Sequence, residues 1–353
     1  MATRYERTWS NRRKKGERAT ANEAPAGGRS VTDEAGASYY GIPPIHKPHW
    51  KWLIIVYFFV GGLSGASYVL ANIANLFGGK DARPIVRVGR YISLAALLPS
   101  PILLILDLGR PERFHHMLFI LKLRSTMSVG TWILTIFSGF CGLSALIQAA
   151  EDGLLKRVGF LDRLLVALPS RAIGALGSIF GFGMCGYTGI LIAATAVPLW
   201  AKNYLLMGPL FTTSAISNAS AAITLTLSLM RGTSHSTLKR LERLDMMAAI
   251  AELALLIAAR RNLGPVIERP LREGTLAKIY SWGVLGTGIT APLMLLLLAQ
   301  LRSKTSPRLL AGISATLTLI GGFLLRYLIV MAGRASADDP QATFEFTKRP
   351  SRG

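Results

Sequence analysis

A run of ionisable residues, DLGRPERFHH, occupies positions 107–116 between two apolar stretches of the chain. It contains the carboxylate of Asp107, the guanidinium group of Arg110 and the neighbouring imidazoles of His115 and His116. Side chains of these types accept, donate and hold protons. Their density in so short a connection predicts a functional site, and a structural ion pair that closes the turn is the alternative.

The composition identifies the elements that must position these residues. The chain has 353 residues, of which 51% are hydrophobic and 17% charged, and its mean hydropathy is +0.39. This is too apolar for an ordinary soluble domain and predicts an all-α integral membrane protein. The net charge is +21, but the 40 Lys and Arg residues are spread over tails and short loops. We therefore expect contact with lipid headgroups and no nucleic-acid partner.

Apolar windows long enough to cross a bilayer predict about eight transmembrane helices. The windows are 51–77, 86–106, 127–149, 171–197, 205–229, 244–260, 275–299 and 308–332. The sixth is the shortest, because Asp245 and Glu252 interrupt it. The chain thus divides into a basic, disordered tail (1–48) without a signal peptide, a membrane domain (49–332) and a polar C-terminal tail (333–353).

The residues inside the predicted helices limit the cofactors that this protein can hold. All five histidines lie outside the apolar windows, so a haem with two histidine ligands is not expected. Cys141 and Cys185 stand alone, without the spacing of an iron–sulfur or zinc site. Glycine-rich stretches such as GALGSIFGFGMCG at 174–186 predict close helix packing, or a slot for a flat ligand.

Eight crossings bring four parts of the chain to one side of the membrane, which we call face X. They are the start of the first helix with Tyr57, the run at 107–116, the second half of the fourth helix with Tyr187, and PLWAKN at 198–203 with Trp200. Each has a simpler interpretation. Trp200 fits an interfacial aromatic belt, and the two tyrosines fit packing residues with satisfied hydroxyls.

The motifs on face X resemble a known family. DLGRPERF is followed by STMSVGTW and preceded by YYGIPPIHKPHWKW and FFVGGLSGAS, and this order resembles the NrfD-like membrane subunits of polysulfide reductase and related molybdenum enzymes. The resemblance runs from about Tyr39 to the eighth predicted helix. It implies two four-helix bundles, at 49–200 and 204–332.

The resemblance also implies a function. Such a protein would be a haem-free, quinone-reactive subunit of a membrane oxidoreductase complex and not an enzyme alone. It would bind a quinone or quinol of the menaquinone or ubiquinone type, and it would carry no iron–sulfur cluster itself. Its partner would be an iron–sulfur electron-transfer subunit, which connects it to a catalytic subunit that contains molybdenum in related enzymes.

The same resemblance assigns roles to individual residues. Asp107 matches an acid or histidine at the end of the second helix that is implicated in quinol chemistry. Tyr187 matches a tyrosine that hydrogen-bonds the quinone, and Tyr57 stands where a relative has histidine. The expected quinone-binding set is Tyr57, Asp107, Arg110, His115, His116, Tyr187 and Trp200, with Asp107 and Tyr187 as the catalytic pair.

Quinol chemistry gives a reason for the charged run. Oxidation of a quinol releases two protons with two electrons, so a base must lie near the ring oxygen and have a route to water. Asp107 at a helix end can serve as that base, and Arg110 would favour its ionised form.

A different function is suggested by the second half of the chain. An acid inside a membrane helix marks an ion or proton path by default, which makes Glu252 the best support for a proton- or ion-translocating protein. Arg326 lies at a similar depth in the eighth helix, so the two could instead neutralise each other. A passive membrane anchor without quinone chemistry is the third alternative.

The loop charges give an expected orientation. Basic residues are concentrated in the short loops opposite face X, and long tails count less in the positive-inside rule. The RRKK tail without a signal peptide favours the opposite orientation, and the family resemblance, in which the partner is often extracytoplasmic, favours face X outside. We therefore expect a multi-pass protein of a bacterial or archaeal cell membrane, with face X and both termini outside the cytoplasm.

Overall fold

The computed structural model describes residues 45, 47–109, 111–119, 121–230, 234–301 and 307–347. The predicted tail at 1–48 lies almost entirely outside these residues and stays a prediction. The described part is helical and contains no strand. The predicted all-α class is therefore confirmed.

Eight long helices follow one another along the described chain. They are α1 (Trp52–Phe77), α2 (Arg83–Asp107), α3 (Thr126–Glu151), α4 (Ser170–Ala193), α5 (Tyr204–Leu229), α6 (His235–Ile267), α7 (Gly274–Leu298) and α8 (Pro307–Asp338). Each predicted window overlaps one of them. Seven are long and apolar enough to cross a bilayer, and α6 is the exception in the described part. The count of eight crossings stays a prediction.

The sequence of α6 explains why it stands apart. The helix is 33 residues long and begins with the charged stretch HSTLKRLERLD, which lowers its mean hydropathy. Its later part buries Asp245 and Glu252 as well as apolar side chains. Gly264 takes a φ of 75° and interrupts the helical backbone near the end, just before Pro265.

Proline divides α2 close to face X. The helix consists of Arg83–Leu97 and Pro99–Asp107, which are separated at Leu98. Pro99 and Pro101 lack the backbone N–H groups that would continue the helical hydrogen bonds. The second part ends at Asp107 because Leu108 is extended, and the connection to α3 contains the short turns Pro111–Arg113 and His116–Phe119.

The helices pack in two groups. In the first, α1 and α3 each pack against both α2 and α4. In the second, α5 packs against α6 and α8, and α8 also packs against α7. The groups meet where α1 and α4 contact α5. This pattern agrees with two bundles of four helices, and the predicted limits at 200 and 204 remain a prediction.

Glycines allow the closest helix contacts. A Cβ on Gly65 would lie 2.5 Å from the carbonyl oxygen of Gly181, and one on Gly288 would lie 2.7 Å from the Cα of Gly321. Substitution would force α1 away from α4 and α7 away from α8. The predicted packing role of the glycine-rich stretches is thus confirmed.

The predicted C-terminal tail is helical up to Thr347. Helix α8 continues to Asp338, and a short helix, Pro340–Thr347, follows it. Arg334 donates a hydrogen bond to the carbonyl oxygen of Trp50 (3.1 Å), and Asp338 pairs with Lys47. These contacts attach the end of α8 to the segment that precedes α1, which the polar composition did not indicate.

Candidate functional site

Two tyrosines face each other between α1 and α4. Tyr57 lies in the second turn of α1 and is 1% exposed, and Tyr187 lies in the second half of α4 and is 7% exposed. The two phenol groups are close enough to interact electrostatically. The structure therefore brings together the two tyrosines that the sequence assigned to face X.

The Tyr187 side chain is fixed by the start of α3. Its hydroxyl donates a hydrogen bond to the carbonyl oxygen of Thr126 (2.9 Å). Gly130, one turn further along α3, packs directly on the ring, because a Cβ there would lie 1.8 Å from the Tyr187 Cζ. Ser125 caps α3 by accepting a hydrogen bond from the Ser128 N–H (3.4 Å). The only hydrogen-bond donor of the Tyr187 side chain is therefore occupied by the Thr126 carbonyl oxygen.

The Tyr57 hydroxyl has no hydrogen-bond partner among the described residues. Tyr68, three turns further along α1, is also buried, but its hydroxyl bonds to the Ser144 hydroxyl (2.8 Å). Buried tyrosine hydroxyls usually find a partner. Tyr57 therefore keeps a donor and an acceptor available for a ligand at the face X end of α1.

Asp107 ends α2 at the same face. Its side chain is half-buried, and His49, just before α1, is close enough to interact with it electrostatically. In the described part no Lys or Arg forms an ion pair with Asp107. Arg110 lies outside the described residues, so its predicted effect on Asp107 stays a prediction. His49 was not among the expected site residues, although HKPHW directly before α1 was the available signal.

His115 and His116 lie on the connection between α2 and α3. Both are exposed, and their ring centroids are 4.3 Å apart. This exposure agrees with solvated histidines near the membrane surface. Their expected role in quinone binding stays a prediction.

Trp200 is fully buried, which does not fit the interfacial aromatic belt that was its simpler interpretation, and its expected role in quinone binding stays a prediction. Its Nε1 donates to the carbonyl oxygen of Ile329 in α8 (2.8 Å), and its ring stacks on Trp50 at 5.5 Å. Gly333 leaves room for the indole, because a Cβ there would lie 2.0 Å from Trp200 Cε2. The single N–H of Trp200 is thus unavailable to a ligand.

The two residues of the predicted proton path meet in the second group of helices. Glu252 (5% exposed) and Arg326 (1% exposed) interact electrostatically, and both bond to Ser214 of α5. Arg326 also donates to the carbonyl oxygens of Gly322 (3.1 Å) and Phe211 (3.3 Å). About two turns before Glu252 in α6, Asp245 accepts a hydrogen bond from the Ser217 hydroxyl (2.6 Å). The two carboxylates and the terminal nitrogens of Arg326 thus have partners in this buried cluster, while Arg326 Nε has none among the described residues.

The larger cavities lie elsewhere. One of about 830 Å³ and another of about 490 Å³ are lined by residues at the helix ends opposite face X. In the residues that the structure describes, no group of three or more His, Cys, Asp or Glu side chains could hold a metal ion.

Comparison with known proteins decides the family. The family model described as "Polysulphide reductase, NrfD" matches residues 45–337. The chain belongs to the NrfD family. Together with the apolar helices, this membership makes it a multi-pass membrane protein, and the resemblance seen in the sequence is confirmed.

Individual NrfD-family relatives are similar over most of the chain. A polysulfide reductase chain of Wolinella succinogenes is 28% identical over 304 residues, which cover 81% of this chain and 94% of that protein. Protein NrfD of Escherichia coli is 26% identical over 306 residues (81% and 95%). A selenate reductase subunit of Mesobacillus selenatarsenatis is 23% identical over 327 residues (80% and 73%). Two of these relatives are by name components of reductases.

Proposed function

We propose that this NrfD-family chain is the haem-free membrane subunit of an oxidoreductase complex. In this proposal it binds a quinone or quinol at face X and exchanges electrons with an iron–sulfur subunit that docks there. Two relatives are named as parts of a polysulfide reductase and of a selenate reductase, which supports a place in such a complex. The observation that carries the proposal is the hydroxyl of the buried Tyr57, which makes no hydrogen bond with the described residues and lies beside Tyr187, at the end of the bundle where α2 finishes in Asp107.

The hydrogen bonds of the two tyrosines suit opposite redox forms of the ligand. A quinone oxygen only accepts hydrogen bonds, and Tyr57 has a donor available for it. A quinol hydroxyl also donates, and Tyr187 can still accept although its own O–H is used by Thr126. Tyr57 would therefore hold the quinone, and Tyr187 would receive the hydroxyl of the quinol.

Asp107 supplies the base that quinol oxidation requires. When two electrons leave the quinol for the partner subunit, two protons must also leave, and a carboxylate at the helix end can accept one at a time. Asp107 is half-buried, and the exposed His49 lies beside it. A proton on Asp107 could pass through His49 to water at face X, which we propose is the outer face of the membrane.

A binding titration tests the role of Tyr57. Full-length protein in lipid nanodiscs would be titrated with a short-chain menaquinone analogue, comparing wild type with Tyr57→Phe and with Tyr68→Phe as the matched control. Losing one hydrogen bond costs about 0.5–1.5 kcal/mol, so we expect roughly threefold to tenfold weaker quinone binding for Tyr57→Phe only. Equal quinone affinity of the wild type and Tyr57→Phe would show that the Tyr57 hydroxyl does not bond to the quinone, and it would contradict the proposal.

Proton passage through the second group of helices is a second candidate function. Its support is that Asp245 and Glu252 are both buried on α6 and interact electrostatically, with hydroxyls of α5 beside each of them. Such a series of acids and hydroxyls can carry protons. In proteoliposomes that hold the assembled complex, Glu252→Gln should then abolish quinol-driven acidification while quinol oxidation continues in the presence of an uncoupler. Unchanged acidification would show that Asp245 and Glu252 do not carry protons and have a structural role.

A further inference from the structure

The helix ends opposite face X enclose a cavity of about 830 Å³ that the proposed quinone chemistry does not use. Its wall comes from the end of α1, the start of α2, the end of α3 and the start of α4. The polar side chains that line it are Asn75, Arg83, Arg87, Gln148, Glu151, Asp152 and Arg171. The cavity thus combines three guanidinium groups with two carboxylates at the membrane surface.

The acids of the cavity do not neutralise all of its cations. Asp152 forms an ion pair with Arg87 (2.8 Å) and accepts hydrogen bonds from Tyr91 (2.7 Å) and Gln148 (3.2 Å), so its carboxylate already has three partners within the protein. Glu151 lies 3.8 Å from the buried Arg90. Arg83 and Arg171 have no ion pair or hydrogen bond in the described part of the chain, and both are exposed to the cavity.

The helix directions add to the positive charge. Arg83 begins α2 and Arg171 is the second residue of α4, so both cations lie at helix N-termini, where the helix dipole is also positive. Neither helix has a side-chain cap there. Two cations at such ends would destabilise the helices unless an anion lies between them. The Asn75 Nδ2 atom is buried and has no hydrogen-bond partner in the described part of the chain, so it supplies one more donor at the cavity wall.

The surroundings indicate where the anion comes from. Exposed apolar side chains lie close in sequence to residues of the cavity wall, including Ile73 (49% exposed) and Phe77 (83%) at the end of α1 and Leu229 (78%) at the end of α5. These residues can lie against acyl chains while the headgroup region enters the polar cavity. Basic pockets between membrane helices suit anionic headgroups, and a free phosphate would gain nothing from the apolar rim.

We propose that this cavity, which we call the basic cavity, binds the phosphodiester headgroup of an anionic phospholipid through Arg83 and Arg171. Asn75 completes the set of donors, and Arg87 is held in place by Asp152. The bound lipid would fill the space between the ends of α1, α2, α3 and α4 and hold them together on the side opposite the proposed quinone site.

Lipid binding by the full-length protein tests this proposal. Purified wild type and Arg83→Gln/Arg171→Gln would be titrated in detergent with dioleoylphosphatidylglycerol or dioleoylphosphatidylcholine, and bound lipid would be counted by native mass spectrometry. The matched control is Arg157→Gln/Arg163→Gln, which removes two exposed cations from the same side outside the basic cavity.

We expect the wild type and the control to retain phosphatidylglycerol in preference to phosphatidylcholine. The cavity variant should bind phosphatidylglycerol at least about tenfold more weakly, on the scale of 1 kcal/mol for each basic residue. Arg83→Lys/Arg171→Lys should bind almost as well as wild type. If the glutamine double variant does not fold, the single variant Arg171→Gln gives the same comparison.

Equal binding by wild type and the folded cavity variant would overturn the proposal. So would displacement of the lipid by millimolar inorganic phosphate, since a free anion would then be the ligand.

Discussion

Tyr57, at the face X end of α1, makes no hydrogen bond with the described residues, whereas Glu252 and Arg326 in the second group of helices both bond to Ser214, and Arg326 also donates to two backbone carbonyl oxygens. The Tyr57 hydroxyl can therefore bond to a ligand without giving up a hydrogen bond inside the described part of the protein. A buried charge with several partners instead ties helices together. The comparison separates a region prepared for a ligand from one that holds the bundle.

The largest effect should come from Arg326→Ala in the second group. Removing the guanidinium leaves the Glu252 carboxylate buried without its counter-ion, and breaking such pairs costs about 3–5 kcal/mol. Thermal unfolding in nanodiscs should show a clearly lower Tm. The double variant Glu252→Gln/Arg326→Ala should be more stable than the single one, because its buried glutamine carries no charge. An Arg326→Ala protein as stable as wild type would show that the pair does not hold the helices.

The next effect concerns catalysis in the first group. Asp107→Asn keeps the shape of the side chain but removes its basic carboxylate, so quinol-dependent turnover of the assembled complex should fall about a hundredfold, in the range that general bases contribute. Quinone binding should persist. Full turnover in Asp107→Asn would make this carboxylate a structural clasp, with protons leaving through Tyr57 or the paired histidines.

A smaller effect is expected for Tyr187→Phe. The change removes one hydroxyl that accepts from the quinol, and it also removes one donor to the Thr126 carbonyl oxygen. Quinol binding should weaken roughly threefold to tenfold, as for one lost hydrogen bond. Quinone affinity should change less than in Tyr57→Phe, and a reversed order would exchange the roles of the two tyrosines.

The smallest effect sharpens the contrast between the two regions. Glu252→Gln should leave quinone affinity within about twofold of wild type, because Glu252 bonds to Ser214 and pairs with Arg326, and neither of these is a residue of the proposed quinone site. Loss of quinone binding in a folded Glu252→Gln protein would show that the binding site lies in the second group of helices and not in the first.

The positions of the helices and the side of the membrane on which the two tyrosines lie could be predicted from the sequence. Apolar length located the helices, and the alternation of crossings brought Tyr57 and Tyr187 to one face. The structure added the partner of the Tyr187 hydroxyl, which is the backbone carbonyl of Thr126 and therefore leaves no mark in the side-chain pattern. The fit of Gly130 against the Tyr187 ring depends on helix rotation, which a composition of small residues does not determine.

Buried polar side chains whose partners lie far away in the sequence were the hardest features to predict. Arg90 is 1% exposed, although it looks like a loop-proximal cation in the sequence, because Gln148 and Ser170 receive its N–H groups inside the first bundle. Trp200 was expected at an interface and is instead enclosed by α8. In both cases the partner comes from a distant part of the sequence, so local sequence carries no signal for it.

Photolabelling with an azidoquinone tests the central claim most directly. Full-length protein in nanodiscs would be irradiated with the probe, digested and mapped by mass spectrometry, with excess unlabelled quinone as competitor. We predict competed labels on the α1 peptide that contains Tyr57 and the α4 peptide that contains Tyr187, and the same pattern in Glu252→Gln. Competed labels confined to α6 and α8, or no competed label at all, would contradict a quinone site at the face X end of α1 and α4.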